Sequence, residues 1–308
     1  MPAIAELDRL IAAAHGWARE PMAIATVIAT WGSAPRPRGS HMLVHADGRF
    51  EGSVSGGCVE GEVLAAAAET IADGQARRLQ FGVTENMAWE VGLPCGGEIE
   101  ILVQPVAAGG FPPRLFEAIG DARAAGRVLG VVTDLATGSS AIAREAEEGA
   151  FLNRYAPPRR LLIVGAVQIA QSLAQIAAQI DAHPIVIDPR GRFLTEDRFP
   201  GVERDERWPD EAIEAHAPNA ATAVVTLSHD PKIDDPALIA ALSSPAGYVA
   251  ALGSTRSHAK RLERLRAAGL GEEALARLDA PAGLSIGAQG PAEIALSIAA
   301  GMVKAFRG

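Results

Sequence analysis

The amino-acid sequence predicts an α/β protein of two domains: a mixed α/β N-terminal domain over residues 1–145 and a C-terminal Rossmann-like domain over residues 159–308 with a mainly parallel sheet. Three observations lead there. A chain of 308 residues is too long for one comfortable core and suits two domains of ordinary size. From residue 159 onward, apolar strand-like runs alternate with helical patterns, as they do where crossover helices join parallel strands. Between the halves, residues 145–160 are polar and proline-containing, which suits a boundary.

Composition narrows the function classes. With 48% hydrophobic and 21% charged residues the chain has an ordinary globular profile. A formal net charge of -9, with no run of Lys and Arg interleaved with aromatics, argues against nucleic-acid binding. Glu6, Asp8, Arg9 and Arg19 interrupt the first twenty residues, so these lack the basic start and apolar centre of a signal peptide. No apolar run approaches the roughly 18 residues that span a bilayer. The expectation is a cytoplasmic protein without a membrane span. Two cysteines, Cys58 and Cys95, are too few for a disulfide framework and suit a reducing compartment.

Taken in order, residues 4–17 carry apolar positions at helical spacing, and Met22–Trp31 is an apolar, β-branched run that reads as a strand. Pro35 and Pro37 lack donors, so residues 34–39 read as a basic loop. The segments 41–45 and 49–54 form a hairpin about Asp47-Gly48. Ser55-Gly56-Gly57-Cys58 then opens a helix over 59–72, followed by strands at 77–81 and 98–104, a helix ending near Ala125 and a strand over 128–134. In the second half, strands are expected at 161–165, 184–188, 222–227 and 247–253, and helices at 169–180, 235–241, 258–268 and 291–306. Pro291 fits a first helical turn. The basic run from Lys260 to Arg266 reads as a solvated helix face.

Two glycine–cysteine elements carry the most chemistry: Gly56-Gly57-Cys58, and Cys95-Gly96-Gly97. A thiol at a helix start is favoured as the thiolate, the form that ligates a soft metal or attacks sulfur. Flanking glycines let backbone amides approach a bound anion. The two cysteines come from different loops and are too few for a closed zinc site, so a shared open site is the sharper reading and two small core residues the plainer one. A dinucleotide-like element follows in Leu161-Leu162-Ile163-Val164-Gly165, with Asp188 about 20 residues on. Val167 replaces the glycine that would admit a pyrophosphate, which argues against NAD(P) and for a structural first turn. At the expected carboxyl edge of the sheet, His229 and Asp230 follow one strand. Ser254 and Arg256 follow another, where a helix start, hydroxyls and a guanidinium suit a phosphate.

Together these motifs resemble the XdhC/CoxI family, accessory factors for molybdenum hydroxylases such as xanthine dehydrogenase. The resemblance runs through Gly32-Ser33-Ala34-Pro35-Arg36, Gly52-Ser53-Val54-Ser55-Gly56-Gly57-Cys58-Val59-Glu60 and Gly92-Leu93-Pro94-Cys95-Gly96-Gly97. It continues in Ile187-Asp188-Pro189-Arg190, Arg198-Phe199-Pro200, residues 226–230, Leu252-Gly253-Ser254 and Pro291-Ala292-Glu293-Ile294-Ala295. It implies a non-catalytic carrier, commonly dimeric, that binds the molybdenum cofactor (molybdopterin) transiently, shelters it while a cysteine desulfurase supplies sulfur, and inserts it into the apo-hydroxylase. Cys58 matches the family's cofactor-binding cysteine, a molybdenum ligand, and Cys95 that of its second glycine-rich element. Many members carry Gly-x-Gly followed by histidine where this chain has Val167 and Gln168. The alternatives are an NAD(P)-dependent oxidoreductase with an atypical turn, a sulfur or nucleotidyl transferase acting on the cofactor, and a docking protein.

Overall fold

A computed structural model describes residues 6–34, 36–82 and 97–307. The chain forms two compact units, one ending at Pro157 and the other starting at Pro158. The first contains α1 (Glu6–Gly16), β1 (Met22–Trp31), β2 (His41–His45), β3 (Phe50–Gly52), α2 (Glu60–Asp73), β4 (Arg77–Phe81), β5 (Glu98–Pro105), α3 (Arg114–Ala124), β6 (Leu129–Asp134), β7 (Ser140–Ile142) and β8 (Ala150–Tyr155). Five strands pair antiparallel in the order β3-β2-β1-β5-β4. Because strand side chains alternate between faces, Ala23, Ala25 and Val27 pack with Val63, Ala66 and Ala67 of α2. Ile24 and Leu43 pack on the other side with Leu10 and Ile11 of α1 and Leu115 and Ile119 of α3. Burial on both faces is why β1 reads as a continuous apolar run.

A second antiparallel sheet, β7-β6-β8, completes this unit. Its strand β8 occupies residues read from sequence as boundary. The alternating members Phe151 and Tyr155 are buried while Asn153 is polar and hydrogen-bonded, so period-2 patterning is masked by composition.

The second unit contains β9 (Arg159–Val164), α4 (Gln168–Gln179), β10 (Ala182–Ile187), β11 (Glu203–Asp205), α5 (Pro209–His216), β12 (Thr222–Thr226), α6 (Pro231–Leu242), β13 (Tyr248–Ala251), α7 (Thr255–Ala267), α8 (Glu272–Ala276), β14 (Leu278–Asp279) and α9 (Pro291–Arg307). Its six strands are all parallel, in the order β11-β10-β9-β12-β13-β14. With β9 the first strand, this is the Rossmann order, whose direction reverses between β9 and β12 and opens a crevice at their carboxyl ends. Leu161, Ile163 and Val225 face Leu173 of α4 and Ile298 and Met302 of α9. Leu162, Val164 and Val224 face Ile213 of α5, Leu238 of α6 and Leu265 of α7. Helix α6 starts earlier than its sequence suggests. Pro231 and Pro236 both suit a first turn, and the structure selects Pro231 because the Asp230 side chain accepts from the Lys232 amide, 3.0 Å away, and caps the helix there.

The two sheets of the first unit are linked through a buried histidine. His41 Nδ1 lies 2.9 Å from Thr26 Oγ1, and Nε2 lies 2.8 Å from the Tyr155 hydroxyl and 3.1 Å from Asn153 Nδ2. A neutral ring that donates through Nδ1 and accepts at Nε2 satisfies all three partners. Burial lowers its pKa from 6.5 to about 4, against the opposing pull of the Ala25 backbone and Glu6. Between those values the unfolded chain binds a proton that the folded chain does not, so stability falls as pH drops from 6.5 towards 4. Urea unfolding at pH 7 and pH 5 should show this loss in the wild type and a flatter dependence in His41→Gln.

Candidate functional site

One end of the five-stranded sheet collects the first unit's candidate residues. The pairings Trp31 with Glu98, Met42 with Gly52 and Phe81 with Ile99 all lie at this end, so the segments after β1 and β3 and the residue before β5 share it. Gly97 is buried there, and a Cβ on it would sit 2.4 Å from the Ser33 carbonyl oxygen, so only glycine permits this approach. Arg36 Nε donates to the Ser53 carbonyl at 3.2 Å. The loop after β1 therefore touches both Gly97 and the loop that carries Cys58. Cys95 and Gly96 lie outside the described residues, as does Pro35.

The loop from Ser53 to Val59 is organised by one carboxylate. Glu60, the first residue of α2, accepts from Ser53 Oγ at 2.6 Å, the Ser55 amide at 3.0 Å, the Gly57 amide at 2.8 Å and, in a very short bond, Ser55 Oγ. Ser55 Oγ accepts from the amides of Cys58, at 2.9 Å, and Val59, at 3.0 Å, while Ser53 Oγ accepts from the Gly56 amide at 2.9 Å. Burial alone would raise the Glu60 pKa, but the Ser53 and Ser55 hydroxyls and the Ser55 amide outweigh it and hold the group at about 2. Gly56 and Gly57 adopt φ values of 79° and 115°, which favour glycine.

Two consequences follow for the chemistry expected here. The amides of Gly56, Gly57 and Cys58 are engaged inside the loop beside a carboxylate, so they do not form the open anion cradle that paired glycines suggest. The Cys58 thiol is free and exposed. It stands two residues before the start of α2, with Val59 at the cap position between them. No group of three or more His, Cys, Asp or Glu able to hold a metal ion occurs among the described residues. The loop offers one accessible sulfur.

In the second unit, Gly165 adopts φ 103°, and a Cβ on it would approach the Ser228 amide nitrogen to 2.9 Å, so the glycine lets the loops after β9 and β12 close on each other. Asp188 is 0% exposed. Its carboxylate accepts from the Ala166 amide at 2.8 Å and from Arg190 through Nε at 2.9 Å and Nη2 at 2.8 Å. Burial pushes its pKa up, and the Arg190 and Ala166 bonds more than reverse this and hold it below the usual carboxylate range. Both groups a dinucleotide would use at a Rossmann turn, the first amide and the acid, are thus engaged with each other. His229 is exposed at φ 61°, and its amide donates to Asp234 at 3.1 Å. Ser254 caps α7 by accepting from the Ser257 amide at 3.2 Å. Arg256 is exposed. The structure therefore brings Gly165, Asp188, His229, Asp230 and Ser254 to one carboxyl edge.

Three residues at this edge were not singled out by sequence. Asp234, in the first turn of α6, is buried, which raises its pKa against the bonds from Ser228. Thr226 closes β12, and Arg261 is 4% exposed. The last corrects the reading of residues 260–266 as a solvated face: Arg261 and Leu265 are both buried on α7, one helical turn apart. That i,i+4 relation to an apolar residue is the signal available in the sequence. Glu60 follows Ser55 by five residues and Ser53 by seven, not the three of a capping box, so its role in the loop carried no comparable signal.

Sequence and structure comparisons place this combination of folds in a known group. A family profile described as the XdhC Rossmann domain matches residues 161–302, and one described as the XdhC and CoxI family matches residues 17–82. The Escherichia coli (strain K12) protein "Molybdenum cofactor insertion chaperone PaoD" is 30% identical over 285 residues, covering 90% of this chain and 81% of that protein. A Bacillus subtilis (strain 168) protein, named as part of a probable xanthine dehydrogenase, is 24% identical, with 93% of each chain covered. A crystal structure of a Bacillus halodurans protein described as a xanthine dehydrogenase superposes with a TM-score of 0.79 at 25% identity, covering 99% of this chain and 96% of the other. The chain belongs to the XdhC/CoxI family.

The role assigned to Glu60 has a definite pH signature. A carboxylate held at about 2 rather than 4.5 stabilises the folded loop fully above 4.5, and that contribution is lost as pH falls towards 2. Hydrogen exchange at the Gly57 and Cys58 amides should show protection that disappears across this window. In Glu60→Gln the same amides should exchange roughly tenfold faster or more at pH 7, the consequence of losing a charged acceptor.

Proposed function

We propose that this protein receives the molybdenum cofactor on Cys58, holds it transiently while a cysteine desulfurase installs sulfur, and passes it to the apo form of a xanthine-dehydrogenase-like hydroxylase in the cytoplasm, acting as a homodimer and a carrier rather than a catalyst. The observation that carries this reading is the Cys58 thiol: it is free and exposed, on a loop whose own amides are already satisfied. A soft sulfur donor suits molybdenum, and a cargo that brings its own sulfur ligands needs one protein thiolate, not a cage. One labile attachment also suits release better than several. The name of the related Escherichia coli protein, a molybdenum cofactor insertion chaperone, supports a role in handling that cofactor. Among the described residues, no helix is long and apolar enough to cross a membrane.

The internal pairing of the Ala166 amide with Asp188 supports a carrier over a nicotinamide oxidoreductase, because neither group is left to meet a pyrophosphate or ribose. The phosphate of the pterin would have to be met elsewhere than at the Gly56–Cys58 amides, which Ser53, Ser55 and Glu60 occupy.

Anaerobic loading with molybdopterin, removal of unbound cofactor, and assay of retained molybdenum and pterin test this directly. Wild type should retain both, and Cys58→Ser should retain at least about tenfold less, as expected for loss of an interaction worth more than 1.4 kcal/mol. Equal retention by the two proteins would remove Cys58 as the point of attachment.

A further inference from the structure

Four buried side-chain atoms lack any hydrogen-bond partner among the described residues: Thr226 Oγ1, His258 Nδ1, and Arg261 Nε and Nη1. They belong to three residues at the carboxyl edge of β12 and β13. Arg261 Nη2 donates to the Leu252 carbonyl at 2.8 Å, and the Leu252 amide donates to the Thr226 carbonyl at 2.9 Å. A Cβ on Gly253 would lie 3.6 Å from Arg261 Nη2 and 3.8 Å from Nη1, so the guanidinium sits against the Leu252–Gly253 turn that leads into α7. Thr226 lies two residues beyond Val224, on the sheet face that Leu265 of α7 covers. His258 stands one helical turn before Arg261. Burial, and then the Arg261 charge, lower its pKa, so at neutral pH it is an uncharged ring.

A buried guanidinium with two unused donor nitrogens is expensive unless something accepts from it. The neighbouring acids do not. Asp234 and Asp235 both attract Arg261 through space, yet the Asp234 carboxylate accepts from Ser228 Oγ at 2.6 Å and the His229 amide at 3.1 Å. Asp235 is held by Arg264, with Nη2 at 2.9 Å. What remains is a set of unused donors on neighbouring elements: the Arg261 Nε–H and Nη1–H, with the guanidinium reaching back to the Leu252 carbonyl just ahead of the 13-residue helix α7, the Thr226 hydroxyl on the strand that Leu252 bonds, and a His258 N–H one turn before Arg261. Gly253 places no side chain against the guanidinium, and Ser254 beside it is exposed.

We propose that Arg261, Thr226 and His258 form an oxyanion site that takes the phosphate group of a small molecule, with Arg261 rather than exposed Arg256 as its cation. A tetrahedral phosphate offers several oxygens to donors arriving from three residues, which a single carbonyl acceptor would not satisfy. The site lies at the ends of β12 and β13, with Thr226 on the strand next to β9, and does not depend on the role of Cys58. The phosphate belongs either to free orthophosphate or to a phosphate monoester.

Isothermal titration calorimetry of the full chain in chloride buffer at fixed ionic strength, with inorganic phosphate and with ribose 5-phosphate, tests the proposal and separates the two sources. The wild type should bind at least one probe; tighter binding of ribose 5-phosphate assigns the site to a monoester, and equal or tighter binding of inorganic phosphate assigns it to the free ion. Arg261→Met should weaken binding roughly tenfold to a hundredfold, the effect of losing a charge-assisted bond. Thr226→Val, which keeps the shape and removes the hydroxyl, should weaken it about threefold to tenfold and decides the matter if Arg261→Met does not fold. Absence of binding by the wild type, or undiminished binding by Thr226→Val and by a folded Arg261→Met, would overturn the proposal.

Discussion

The Glu60 carboxylate is the constraint on which the first unit's site depends. One side chain at the start of α2 gathers two serine hydroxyls and two amides from the preceding loop, and Ser55 passes the restraint on to the Cys58 and Val59 amides. Glycines at positive φ make the tight path possible. The result is a loop that is polar, internally saturated and anionic at its base, from which a single thiol is left exposed. Such a loop is suited to presenting sulfur and poorly suited to binding phosphate, because its donors are already committed.

The second unit shows the complementary arrangement. At the Rossmann first turn, where a bound dinucleotide would leave unsatisfied groups in its absence, Asp188, Arg190 and the Ala166 amide satisfy one another. On the adjoining strand β12 and on helix α7, Thr226, His258 and Arg261 carry buried donor atoms with no partner among the described residues. In a low-dielectric interior, engaged groups stabilise and rigidify while unengaged ones await a partner. The distribution of hydrogen bonds along this one edge therefore separates structural positions from receptive ones more sharply than the fold alone does.

Much of the architecture was legible in the sequence because it rests on periodicity. The strands of the parallel sheet read as continuous apolar runs since both faces are covered, and α9 announced itself through Pro291 and its amphipathic spacing. Elements defined by pairing rather than pattern were not legible: β11 is Glu203–Asp205, wholly polar, and exists because Ile185 to Ile187 offer it an edge. Similarly, β8 hides its alternation behind Asn153, whose side chain bonds the Gly39 carbonyl and His41. For the site, the exposed cysteine and its glycines were visible as a motif, but the fate of the loop's amides was not, because it depends on where the Glu60 side chain reaches. Arg261 was concealed by its basic neighbours; only the packing of α7 distinguishes it from Lys260 and Arg264.

Molybdenum K-edge absorption spectroscopy on anaerobically loaded protein tests most directly whether the exposed thiol is the point of attachment. A sulfur scatterer in the metal's first shell that is present in the wild type and absent in Cys58→Ala is the expected result. Identical first shells in the two proteins would contradict ligation by Cys58.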